Sequence, residues 1–382
     1  MQCAVLPDWQ SADNRTAGAS AKFIAMDANN SPIVYPFAEY PTAGNTIEVA
    51  PGVHWLSTPL PFRLRAINLY LLEDGDGWTI VDCGYGREEV RQQWEQIWRN
   101  TLAGAQVTRL IVTHFHPDHV GNAAWICQRW NVRPWMTQAE WLTANLAILE
   151  QGFDDIGHRG QFYAANGLDQ SQLEVFRTGV VRYSAGVRLP ESFHRLADGE
   201  QLQIGGRIWT VIVGRGHSPE HASLYCDEMK VLIAGDQLLP EITTNVSVWP
   251  SEPQADSLRW FLRSLDRFAD SLPADTLVLP SHRRPFRGAH TRIEQIKNHH
   301  RERLQRIVDL AASGPVSAGG LLGHLFAPGL DGHQIGFAMG EALAHLNYLV
   351  SSGALRRENT AGLAQFVRAQ ASTEVGGRPT VA

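Results

Sequence analysis

Apolar positions along the chain change period several times, and each change marks an element. Ile67-Asn-Leu-Tyr-Leu-Leu72 and Trp78-Thr-Ile-Val81 are nearly continuous apolar runs on either side of Glu73-Asp-Gly-Asp-Gly77, which predicts a hairpin of buried strands. Glu88 to Leu102 spaces Val90, Trp94, Ile97 and Trp98 as one helix face does, and Arg109-Leu-Ile-Val-Thr113 then reads as a short buried strand. Strand, helix, strand opens a layered α/β architecture. Gly121 to Trp130 is helical again, and residues 138–185 form a Gln- and aromatic-rich, mainly helical insertion. Ile204 to Val213, Ser223 to Cys226, Val231 to Ala234 and Thr276 to Leu279 predict four more strands and a second sheet. Beyond Arg287 the period is helical over 292–312, 318–326 and 333–351, and the chain closes on a small hairpin from Leu355 and Leu363. Residues 1–45 keep no period and predict an irregular arm. The expected organisation is this arm, a catalytic domain over 46–288, and a winged-helix-like module over 289–382.

Composition narrows the picture. The 382 residues are 44% hydrophobic and 19% charged, a globular balance. Lys and Arg total 33 against 39 Asp and Glu, a net charge of −6 with no run of five like charges, so a nucleic-acid partner is not expected. No stretch reaches the roughly 18 apolar residues of a membrane span, and the opening Met-Gln-Cys-Ala-Val-Leu-Pro-Asp turns polar too soon for a secretory signal. A cytoplasmic protein is expected. The four cysteines (Cys3, Cys83, Cys127, Cys226) have no CxxC spacing, which argues against a disulfide framework or a cysteine zinc knuckle.

The histidines carry the chemistry. Thr113-His114-Phe-His116-Pro-Asp118-His119 leaves a buried strand and enters a helix. Two residues apart on extended backbone, His114 and His116 point the same way and can meet one ion, while Asp118 and His119 at the turn can face a second. Such nitrogen and carboxylate donors suit Zn²⁺, with iron or manganese as further options. His217, Asp236 and His282 each follow a predicted strand end, where loops distant in sequence converge.

With Asp82, these residues form an ordered set that resembles the metallo-β-lactamase superfamily over residues 50–290, in particular its glyoxalase II-like dinuclear hydrolases. The resemblance implies an αβ/βα sandwich. It also implies that His114, His116 and His217 hold one divalent metal and Asp118, His119 and His282 another, with Asp236 bridging and Asp82 orienting the ligand loop. A hydroxide held between the metals would be the nucleophile, with Asp118 and Asp236 as the catalytic carboxylates and Asp118 shuttling the proton. Family members often have Gly after the last metal histidine, whereas Arg283 and Arg284 follow His282 here, so a different loop backbone and charge are expected.

Tyr163 and Tyr183 in the insertion, and Asn245 and Trp249 beyond Asp236, are candidate substrate contacts; His221 suits either support of the ligands or helix initiation. The function expected is hydrolysis of a thioester or ester of a small acyl substrate. The alternatives are a single-stranded RNA endonuclease or phosphodiesterase and, behind these, a lactonase. A DNA-binding role for the C-terminal module is disfavoured, because His333 to Ser351 contains no Lys or Arg and residues 289–358 hold seven basic against six acidic side chains, a net +1. Covering the site or forming a homodimer contact are the roles left to it.

Overall fold

The computed structural model describes residues 32–62, 64–149, 156–179 and 182–369; the first 31 residues of the expected arm and the last 13 of the chain lie outside the described residues. Two sheets pack face to face. The first has seven strands in chain order, β1 (Ile47–Ala50), β2 (Val53–Pro59), β3 (Ala66–Asp74), β4 (Gly77–Val81), β5 (Gln106–Ile111), β6 (Pro134–Thr137) and β7 (His194–Leu196). They are antiparallel as far as β4 and parallel beyond it. The second has β8 (Gln201–Ile204), β9 (Arg207–Gly214), β10 (His221–Cys226), β11 (Val231–Gly235) and β12 (Leu277–Pro280), with only the β11–β12 pair parallel.

Burial on both faces explains the unbroken apolar runs. Along β3, Ile67, Leu69 and Leu71 pack outward on Trp94 and Ile97 of α1 (Glu88–Asn100). The alternate residues Tyr70 and Leu72 pack inward on Trp209, Val211 and Leu224 of the second sheet. Helices α2 (Pro117–Val120) and α3 (Ala123–Trp130) follow β5, and the insertion folds as α4 (Gln138–Leu149), α5 (Ile156–Ala165), α6 (Gln170–Gly179) and α7 (Tyr183–Gly186). On the far face of the second sheet, Leu232, Ala234 and Val278 meet Leu258, Phe261 and Leu265 of α8 (Ser257–Ser271). The layers are thus helix, sheet, sheet, helix. The strand expected from Ile204 to Val213 is in fact two: Gly205 and Gly206, at φ 60° and 76°, turn the chain between β8 and β9.

Residues beyond 288 form α9 (Ala289–Ala312), α10 (Ala318–Leu325), α11 (Gly332–Ser351) and the antiparallel pair β13 (Leu355–Thr360) and β14 (Leu363–Arg368). Asp331 and Gln334 close a capping box at the start of α11. From Gln334 to Leu346 every side chain of α11 is buried, and Ile335, Met339, Leu343 and Leu346 share one core with Phe261 and Phe268. No described helix is long and apolar enough to cross a membrane.

This core also holds ionisable groups. His345 donates Nδ1–H to the Glu341 carbonyl (2.8 Å) and its Nε2 accepts from His300 Nδ1 (3.1 Å). Burial, with Arg303 adding to it, holds His345 down at about 3, and burial lowers His300 as well. Both rings are neutral in the fold but titrate near 6.5 once unfolded, so their contribution is complete above that pH and declines as pH falls below it. We expect each ring to steepen acid destabilisation by about 1.4 kcal/mol per pH unit. Urea unfolding of chelator-treated protein between pH 8 and 5 measures this, and H345Q should show a slope shallower by one proton.

Candidate metal centre

The cluster forms where strands end. His114 to His119 follow β5, His217 follows β9, Asp236 follows β11 and His282 follows β12. Their donor atoms fall into two buried groups, His114, His116, His217 and Asp236 in one and Asp118, His119 and His282 in the other, each within 4.8 Å. In the first, His114 Nε2 lies 2.8 Å from His116 Nδ1 and 3.2 Å from His217 Nε2. Asp236 spans both: its Oδ2 is 3.4 Å from His217 Nε2, and its Oδ1 is 3.4 Å from His282 Nε2 and 3.6 Å from His119 Nε2. Asp118 Oδ2 stands 3.5 Å from His282 Nε2 and 3.8 Å from His119 Nε2.

The hydrogen bonds behind the rings fix which nitrogen faces inward. His217 Nδ1 donates to the Asn245 carbonyl (2.8 Å), His282 Nδ1 to the Ala66 carbonyl (3.2 Å) and His119 Nδ1 to Asp82 Oδ2 (2.7 Å). The Thr113 hydroxyl donates to Asp82 Oδ2 (2.9 Å) and therefore accepts from His114 Nδ1 (3.0 Å). Each of these four rings thus turns an Nε2 lone pair toward the cluster. Lone pairs 3.2 Å apart in a buried space repel unless a cation lies between them. In the second group His119 Nε2, His282 Nε2 and both Asp118 oxygens are buried without a hydrogen-bond partner. Orphaned acceptors of this kind are what an ion satisfies, so the donor set fits two divalent metals.

Electrostatics agree with that reading. Burial, then the neighbouring imidazoles, pushes His114 well below the usual histidine range. Burial opposes charge on His119 too, but Asp82, Asp118 and Asp236 together outweigh it and raise His119. The surrounding imidazoles likewise overcome burial to hold Asp236 well below the ordinary carboxylate range.

Other residues orient the cluster. Asp82, at φ 61° after β4, accepts Thr113 N–H on Oδ1 (2.7 Å) as well as the bonds on Oδ2. His221 begins β10, not a helix as one sequence option had it, and its Nε2 accepts the Asp236 N–H (3.1 Å). Gly235, at φ 53°, has no room for a side chain, since a Cβ there would lie 2.3 Å from His221 Nε2. Arg283 takes φ 70°, the left-handed geometry that glycine adopts at no cost. Its carbonyl accepts from Asn68, and the single Glu241 carboxylate lies 3.7 Å from Arg283 and 4.0 Å from Arg284.

The candidate substrate residues make their contacts within the protein. Tyr163 is buried, with its hydroxyl on the Gly336 carbonyl (3.2 Å) and its ring on Phe176. Tyr183 is buried and donates to the Phe115 carbonyl, while Asn245 presents its backbone carbonyl to His217 and its side chain to Ser247 and Glu341. Trp249 lies beneath the Arg159 guanidinium, 5.4 Å from it. Tyr163, Tyr183 and Asn245 brace the scaffold with their polar atoms, because each hydrogen bond is made inside the protein. Sequence reasoning missed Glu140, which is buried in α4 and bonded to two ligand loops; a lone acid in a helix gives no signal.

Comparison with known proteins agrees with this geometry. Residues 63–313 match the family model of the metallo-beta-lactamase superfamily, and residues 304–369 match that of the metallo-beta-lactamase-like C-terminal domain. A beta-lactamase domain protein from Burkholderia ambifaria shares 46% identity, with a TM-score of 0.83 over 88% of this chain and 98% of that one. A metallo-beta-lactamase family protein from Thermus thermophilus shares 30%, with a TM-score of 0.69 over 83% and 99%. The probable metallo-hydrolase YqjP of Bacillus subtilis is 23% identical over 78% of this chain and 92% of its own length. Fold, donor set and matched segments lead to one conclusion: the chain belongs to the metallo-beta-lactamase superfamily and is a metallohydrolase of it.

Proposed function

We propose that the protein is a dinuclear hydrolase that cleaves a thioester or ester of a small acyl substrate. The observation that carries the reading is the position of Asp236, whose two oxygens face the two separate donor groups. His114, His116 and His217 would hold one metal, Asp118, His119 and His282 the other, with Asp236 shared and zinc, iron or manganese all compatible with the nitrogen and oxygen donors. Two bound divalent ions acidify water and polarise a carbonyl oxygen, so no Ser or Cys nucleophile is required. Asp118 is the proton acceptor in this reading, its carboxylate buried beside the cluster with neither oxygen hydrogen-bonded. Asp82 keeps His119 turned inward.

An acyl substrate is preferred to a polyanion for two reasons. The chain carries −6 overall, and the arginines next to His282 are paired with Glu241. The module over 289–382 is winged-helix-like in this reading but structural in role, because α11 buries its sides in the core and leaves no face for a nucleic-acid groove. Metal-loaded protein is expected to cleave a member of a thioester and ester panel at a rate little changed between low and moderate salt, and to leave single-stranded RNA near the metal-free background. A nuclease's affinity for RNA would instead fall with salt, log K against log[salt] having a slope of about −0.7 per phosphate contact. Strongly salt-sensitive RNA cleavage lost in Asp118→Ala, together with inertness to every ester and thioester, would overturn the proposal in favour of the nuclease.

A further inference from the structure

Glu140 of α4 is fully buried, and among the described residues no Lys or Arg pairs with it. Its Oε2 accepts the Phe115 N–H (2.9 Å); its Oε1 accepts the Ser218 hydroxyl (2.7 Å) and the Glu220 N–H (2.6 Å). Phe115 lies between His114 and His116, and Ser218 follows His217. One carboxylate therefore ties together the two loops that supply all three histidines of one donor group; the first of these loops runs on to Asp118 and His119, whereas the loop of His282 is not touched. The insertion grips the same loop a second time, since Tyr183 of α7 donates its hydroxyl to the Phe115 carbonyl. Phe115 is held by both its N–H and its C=O.

A buried carboxylate without a cation is costly unless its acceptors are used, and an apolar or amide side chain would fill the space at less expense. Three donors converging on two oxygens need a group that only accepts. We propose that Glu140 is a positioning residue for the His114, His116 and His217 group, with Tyr183 completing the clamp, so that the helical insertion bears directly on that metal position and reaches the other only through the shared loop. This rests on the metal reading given above. It assigns the insertion a role that packing alone does not, for the hydrogen bonds end on the ligand loops themselves.

Glu140→Gln keeps the shape, so the core should stay filled. Its amide NH₂ must, however, face either the Phe115 N–H or the Ser218 and Glu220 donors, and one contact becomes donor against donor. The test is Zn²⁺ and Co²⁺ binding by chelator competition, with the Co²⁺ visible spectrum, on the full chain, E140Q and Y183F. The expected result is that E140Q weakens one of the two metal-binding steps by about 10 to 100-fold and leaves the other near the parent value, as loss of a residue supporting ligands does. Y183F should weaken the same step by a smaller factor. Amide hydrogen exchange on metal-free protein gives an independent readout: Phe115 and Glu220 should exchange faster in E140Q, with unchanged protection in β9 and β10. Parent-like binding of both metals by E140Q, or an equal weakening of both steps with protection lost throughout, would overturn the proposal. If the parent chain itself binds no metal, the metal reading fails, and unchanged exchange at Phe115 and Glu220 would then sink the clamp separately.

Discussion

Asp236→Ala is expected to strip both metals from the protein and reduce hydrolysis to the metal-free background. No other side chain of the cluster offers oxygens to both donor groups, at 3.4 Å from His217 on one side and 3.4 Å from His282 on the other. Its loss also leaves His119, whose pKa that carboxylate helps to raise, with fewer negative neighbours. The effect should exceed the roughly 10 to 100-fold cost of changing a residue that only supports a ligand, such as Asp82. Elemental analysis of dialysed protein, alongside the thioester assay, checks both parts. A variant that keeps two metals per chain would show that the ions lie elsewhere, and His116→Ala would then be the variant to compare.

Deleting residues 289–382 is expected to give insoluble protein, and the reason is the amount of apolar surface that depends on them. Leu232, Ala234 and Val278 of the second sheet, and Leu258, Phe261 and Leu265 of α8, share one core with Ile293, Ile296, Met339, Leu343 and Leu346 of the module. Removing one partner uncovers this shared apolar face, at roughly 25 cal/mol for each Å² exposed, and exposed apolar patches promote aggregation. The loop after Asp236 would be loosened as well, since Val248 N–H bonds to the Gly340 carbonyl (3.1 Å) and Asn245 to Glu341 (3.4 Å). Soluble truncated protein with parent activity would refute the structural role of the module.

How much the sequence disclosed depends on where the information sits. His114 to His119 crowd four donors into six residues at a strand end, a spacing with few other uses, and the solitary His217, Asp236 and His282 became legible because each also ends a predicted strand. Most of the longer strands and helices were legible through period, although β2 and α8 were not foreseen. Strands β6 and β7 were not, for four and three residues are too short to show one. The double glycine at 205–206 sits inside an apolar stretch whose pattern conceals the turn. Support of the ligands was legible at Asp82 and, as one of two options, at His221. Asn245 acts through a backbone carbonyl, which no side-chain pattern reports, and Glu140 looks like any helix acid until three donors are seen to surround it.

The bracing of Asn245 by α11 bears on how the protein is made. Chains leave the ribosome from the N-terminus, and domains tend to fold as they emerge. All seven donors, from His114 to His282, are synthesised before Gly340 and Glu341, which steady the peptide that aims His217. An ion that arrives early meets a cluster whose third histidine is not yet fixed. On the proposed metal reading, loading is expected to be completed only once α11 has packed against the peptide that aims His217.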